Sequence, residues 1–156
     1  MANKKTTAYE FDPIIYPRLV WVVMGGTMED LNKIWFLEHI VQNKEDDGDI
    51  FAMTIPCTKR DGNFHGVILW FPVSKAINDG QVIAHEAVHA ATYIYKTIGG
   101  EIEMENHEPY AYLVGYIYDC VDKVRRIKNG KVSESANFKV IQFEEAGEKE
   151  NLHRNR

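Results

Sequence analysis

Five consecutive residues, His85-Glu86-Ala87-Val88-His89, carry the clearest chemistry in this chain. They lie in a run from Gln81 to Ala91 that is small, apolar and free of Pro and Gly, which predicts a helix. Positions four apart on a helix share a face, so both imidazoles can address one ion. Two neutral imidazoles hold zinc at about 2.0–2.1 Å, a third protein donor completes three of four tetrahedral positions, and water takes the fourth. The ion brings the pKa of that water towards neutrality, and a nearby carboxylate accepts its proton as it attacks a polarised carbonyl. Glu86, next to the first histidine, has the position for that carboxylate. The competing explanation is a chance pair of helix-face histidines. A third donor at a suitable distance tells against it.

Downstream of His89, Gly99-Gly100 ends the helix and an acidic link, residues 101–105, follows. A second helix then opens, with Asn106 as the expected N-cap and Pro109 tolerated in the first turn. Glu108 falls in that first turn, where the helix dipole favours an ionised carboxylate. Glu105 and His107 are the alternative third donors.

Eighteen residues separate His89 from Glu108. His-Glu-x-x-His, eighteen residues and Glu resembles the gluzincin branch of the zincin metallopeptidases over residues 80–116. The resemblance implies zinc as cofactor, His85, His89 and Glu108 as its ligands, and Glu86 as general base. It also implies a peptide or protein substrate and a minimal zincin-like fold. Many gluzincins carry an acid four residues after the ligand Glu. Here Tyr112 stands there, which leaves the orienter of the zinc histidines unassigned. The segment from Glu108 to Gly115 looks closer to small predicted metallopeptidases of phage and prophage origin and, more loosely, to peptidases that cut phage repressors. Tyr112 and Tyr110 are the candidate donors to a developing oxyanion.

Two rivals stand beside this reading. A deformylase-type site also uses His-Glu-x-x-His but needs a cysteine ligand, and Cys57, in Ile-Pro-Cys-Thr, does not sit in that kind of motif. A non-catalytic protein, such as a phage assembly or virion component, would use zinc to staple two helices. A closed four-ligand site would mark that case, because catalytic sites keep one position open.

These residues need a scaffold, and 156 residues suffice for one domain with its own core. A formal charge of −5 argues against a nucleic-acid surface, and no apolar run is long enough for a membrane span. Two cysteines form no disulfide framework, and the N-terminus has no apolar signal core, so a cytoplasmic protein is expected.

The expected elements run as follows. Residues 1–13 read as a loose polar start. Residues 16–24 form a strand covered on both faces, ended by Gly25-Gly26. Thr27 and Asp30 form a capping box that opens a helix to about Gln42. Trp21 and Trp35 read as core. The acidic stretch 43–49 is a solvated loop, since its spacing fits no EF-hand. Residues 50–58 and 64–73 form a hairpin about Asp61-Gly62-Asn63, with Pro56 and Pro72 marking an edge or an end. The second of these strands, next to the motif helix in sequence, is by the zincin resemblance the candidate edge for an extended substrate, with an ordinary buried strand as the equal alternative; His65 on it is not a ligand. Asn78-Asp79-Gly80-Gln81 caps the motif helix, which runs to about Ile98 with Tyr93 lining the cleft. The second helix buries Leu113, Ile117, Val121 and Val124, with Cys120 beside them, and ends at Asn129-Gly130. Residues 138–143 form a last strand, and 144–156 a disordered tail. The expected class is α+β: a small mixed sheet with three main helices, spanning residues 1–143.

Overall fold

In the computed structural model, which describes residues 5–38, 50–131 and 138–143, the apolar run Leu19–Met24 forms a strand (β2) near the middle of a six-stranded sheet. Its alternate residues feed two cores. Val20, Val22 and Met24 join one cluster, and Trp21 and Val23 join the other. This two-sided burial is why the run is apolar at every position. β2 pairs in parallel with His65–Phe71 (β5) and antiparallel with Thr7–Phe11 (β1). Met53–Lys59 (β4) pairs antiparallel with β5, and Trp35–Leu37 (β3) and Lys139–Gln142 (β6) close the two ends. The order is β3-β4-β5-β2-β1-β6, one mixed sheet.

Helices Gly80–Thr97 (α2) and Glu108–Lys128 (α3) cover one face through Ile83, Ala87, Ala90, Ala91, Ile94, Leu113, Ile117, Val121 and Val124. The short helix Met28–Ile34 (α1) lies with the other face, where its Leu31 is fully buried among Trp21, Trp35, Ile55 and Trp70. Trp21 and Trp35 meet edge to face with centroids 5.7 Å apart, a contact worth about 0.5–1.5 kcal/mol beyond the area it buries. The close fit extends to Gly66 of β5. A Cβ there would lie 2.1 Å from the Leu19 carbonyl oxygen and 2.7 Å from the Trp21 ring. The fold is therefore α+β, with one mixed sheet and three α-helices among the described residues.

Several expectations need correction. Residues 7–11 are not loose: their burial alternation and pairing with β2 and β6 make them a strand inside the sheet. α1 stops at Ile34 rather than near Gln42, because Trp35 leaves helical geometry (φ −122°, ψ 149°) and pairs with Lys59 of β4. The aromatic run Trp35-Phe36 fits a pleated strand better than a third helical turn. The expected stripe residues Ile40 and Val41, the acidic stretch 43–49 and the tail 144–156 lie outside the described residues. His107, not Asn106, is the N-cap of α3; its Nδ1 lies 2.9 Å from the Met104 carbonyl oxygen and does not cap the helix. Other local signals hold. Thr27 and Asp30 exchange both capping-box bonds, Asp79 accepts from the Gln81 N–H, and Gly62 and Asn63 both take positive φ in the β4–β5 turn.

Candidate metal and hydrolase site

α2 presents two faces. Ile83, Ala87, Ala90, Ala91 and Ile94 are buried in the core, while His85, Val88, His89 and Thr92 are exposed. The helical spacing brings the Nε2 atoms of His85 and His89 to 3.0 Å, with ring centroids 4.6 Å apart and planes at 78°. Two nitrogens about 2.05 Å from one tetrahedral ion stand about 3.3 Å apart, so a small ring rotation admits a shared ion. The observed spacing also serves a hydrogen bond between the two rings, which holds the pair together without an ion. The donor pair thus fits a divalent metal.

The third donor is not assembled to the same degree. Among the described residues, no group of three or more His, Cys, Asp and Glu side chains is arranged to hold a metal ion. Glu108 is the first residue of α3 and is exposed, as are Glu105 and His107. Two residues beyond Glu108, the Tyr110 hydroxyl lies 2.9 Å from Thr92 Oγ1 and donates to the Val88 carbonyl at 3.3 Å. The start of α3 therefore packs on the same side of α2 as the two histidines, adjacent in the helix to Val88 and Thr92.

Glu86 is more enclosed than the two histidines. It is 7% exposed, and Thr54 Oγ1 of β4 lies 2.7 Å from its Oε2 and 3.0 Å from its carbonyl oxygen. Glu86, His89 and Tyr93 share a cleft of about 360 Å³ between α2 and β4, whose other walls are Ala52, Met53, Thr54 and Pro56. The Tyr93 hydroxyl is pushed above the ordinary tyrosine pKa, first by burial and then by the Glu38 carboxylate, so it stays a donor.

The candidate tyrosines occupy different places, and Tyr93 lines the cleft as expected. Tyr112 is 76% exposed and lines a separate apolar pocket with Pro13, Ile15, Tyr16, Leu113 and Tyr116. Tyr110 is held on α2 and meets Tyr95 edge to face, with centroids 5.7 Å apart. Of the three, Tyr93 is the one that lines the cleft beside Glu86 and His89.

The expected substrate edge also moves. β5 lies between β4 and β2, with every residue after His65 buried, so it has no free edge. Its sequence position next to the motif helix misled: the strand beside the cleft is β4. The Pro56 carbonyl accepts from the Glu38 N–H, so Pro56 turns its peptide groups to the outer edge, where its missing N–H costs nothing. By the two-residue period, Thr54 turns its own N–H and C=O the same way, and among the described residues nothing pairs with them.

His65 is exposed on β5, with Nδ1 2.9 Å from Thr58 Oγ1. Cys57 is buried in the core cluster of α1, on the sheet face away from α2, with its thiol pushed well up by burial. It is no partner for His85 and His89, which removes the deformylase-type arrangement. Cys120 is buried against α3's core stripe, its thiol pushed up to about 12 by burial. Thr54 gave no signal in the sequence, because its contact with Glu86 spans 32 residues. Among the described residues no helix is long and apolar enough to cross a membrane. Comparisons with family models, with curated proteins and with solved structures found no match.

Proposed function

We propose that this protein hydrolyses peptide bonds with zinc as cofactor. The observation that carries the proposal is the convergence of His85 and His89 to 3.0 Å beside a cleft that holds a buried, hydrogen-bonded Glu86. His85, His89 and Glu108 would hold the ion, the last through its place at the start of α3 next to Tyr110. Zinc bound there supplies Lewis-acid polarisation of the scissile carbonyl and acidifies water.

The chain's own residues do the rest. An extended peptide adds to the outer edge of β4, where Thr54 offers an N–H and a C=O. Glu86 takes the proton of the attacking water and passes it to the leaving amine. Its burial strengthens that exchange, because charge interactions grow as water is excluded. Tyr93 takes the oxyanion-donor role in place of Tyr112 and Tyr110, because it lines the cleft beside Glu86 and His89.

The open cleft supports catalysis over a structural zinc staple, since structural sites are closed on all four sides. The test is Glu86→Gln, which keeps shape and zinc but cannot accept a proton. Wild type and variant are incubated with a mixed peptide library, and new termini are read by mass spectrometry. Cleavage by the wild type, lost with chelator, restored with zinc and reduced about 10²–10⁴-fold in the variant, is the expected result. Equal cleavage by both removes Glu86 from the mechanism.

A further inference from the structure

We propose that Thr54 is a positioning residue for Glu86, fixing the carboxylate so that one of its oxygens is presented to the cleft. The consequence for turnover rests on the hydrolase reading above; the geometry does not.

The Thr54 hydroxyl has one proton and two acceptors within reach, Glu86 Oε2 at 2.7 Å and the Glu86 carbonyl oxygen at 3.0 Å. A carboxylate oxygen is the stronger acceptor, and the shorter distance agrees. Among the described residues, Thr54 is the only side chain that hydrogen-bonds the Glu86 carboxylate. The Glu86 side chain is long, and Thr54 supplies the directional contact that selects among its rotamers. With Oε2 held by Thr54, Oε1 remains to receive a proton.

The two ends of Glu86 are thus set by different elements, its backbone by α2 and its carboxylate by β4. That placement matters because a misplacement of about 1 Å can cost about 10²-fold in rate. It also makes one residue serve two tasks, since the same Thr54 turns its peptide groups to the outer edge of β4.

The decisive comparison is Thr54→Val, which keeps the shape and loses the donor, against Thr54→Ser, which keeps the donor. The first readout needs no substrate: side-chain couplings of ¹³C-labelled Glu86 measured by NMR in the metal-free protein. Wild type and Thr54→Ser are expected to show one Glu86 rotamer, and Thr54→Val an average over several. Thr54→Ala repeats the comparison if the valine methyl disturbs the strand. An unchanged single rotamer in both Val and Ala variants overturns the proposal. The second readout is peptide cleavage, where Thr54→Val should lower kcat about 10²-fold at unchanged KM and zinc affinity, with Thr54→Ser recovering most of it. A change in KM alone would place Thr54 on the substrate instead and overturn the proposal. If the wild type cleaves nothing, the hydrolase reading fails while the rotamer comparison still decides whether Thr54 positions Glu86.

Discussion

Zinc should stabilise this fold through the histidine pair, by an amount that mass action sets. The two Nε2 atoms stand 3.0 Å apart, within a few tenths of an ångström of the separation a shared tetrahedral ion requires. The histidine pair therefore accepts the ion by ring rotation with no movement of α2, while Glu108, exposed at the start of α3, has to turn in to complete the site. A ligand that binds only the folded state at 100 times its Kd stabilises by about 2.7 kcal/mol. For a chain of this length each kcal/mol moves Tm by about 2–4 °C, so saturating zinc should raise Tm by about 5–10 °C. Scanning calorimetry of metal-stripped protein, with and without zinc, measures this directly.

Three variants divide the effect among donors. His89→Ala should abolish the shift. Glu108→Gln should weaken zinc binding at least tenfold, which at fixed zinc removes about 1.4 kcal/mol, or about 3–6 °C, of it. His107→Ala should leave it intact, since that ring is engaged with the Met104 carbonyl. An equal zinc shift in wild type and His89→Ala would refute the metal site. A full shift in Glu108→Gln with loss in His107→Ala would move the third ligand and leave the histidine pair standing.

Two further predictions concern the scaffold. Gly66→Ala should destabilise by about 1–3 kcal/mol or more in urea unfolding, because the new methyl meets a backbone carbonyl at 2.1 Å and the Trp21 ring at 2.7 Å, neither of which can move freely. The Cys120 thiol, raised from an ordinary value of 9.0 to about 12, makes folding sensitive to alkali. In the unfolded chain it ionises above about pH 9, whereas in the folded chain it stays protonated, so its contribution is intact below pH 9 and is lost as pH rises towards 12. Tyr93 and Tyr116, also raised by burial, act in the same direction. Denaturant midpoints should fall from pH 9 upwards, and Cys57 and Cys120 should resist a thiol reagent until the protein unfolds.

How much of this was legible in the sequence depends on how local each signal is. The capping box of Thr27 and Asp30, the Asp79 cap, the Gly62-Asn63 turn and the α3 stripe all depend on residues within a few positions of one another, and they were read correctly. The two-sided burial of β2 was legible because every residue from Leu19 to Met24 is apolar. α1 was read too long because Trp35 continues an apolar helical period while its partner, Lys59 of β4, lies 24 residues away. β1 was missed for the same reason, since its place is set by β2 and β6 and its own five residues include Thr and Glu.

The site divides along the same line. The i and i+4 spacing of His85 and His89 is a property of one helix, and the sequence alone predicts their convergence. Whatever needs a second element was harder to reach. The strand beside the cleft is β4 rather than β5, because the β4–β5 hairpin puts the earlier strand outside the later one. The partner of Glu86 is then a threonine on that outer strand, whereas Tyr93, one turn along from His89 on the motif helix itself, lines the cleft as the sequence predicted. Tyr93 shows what decides between tyrosines in such a chain. Helix phase relative to His89 predicted that Tyr93 lines the cleft, whereas Tyr110 is held by Thr92 and Val88 and Tyr112 is 76% exposed.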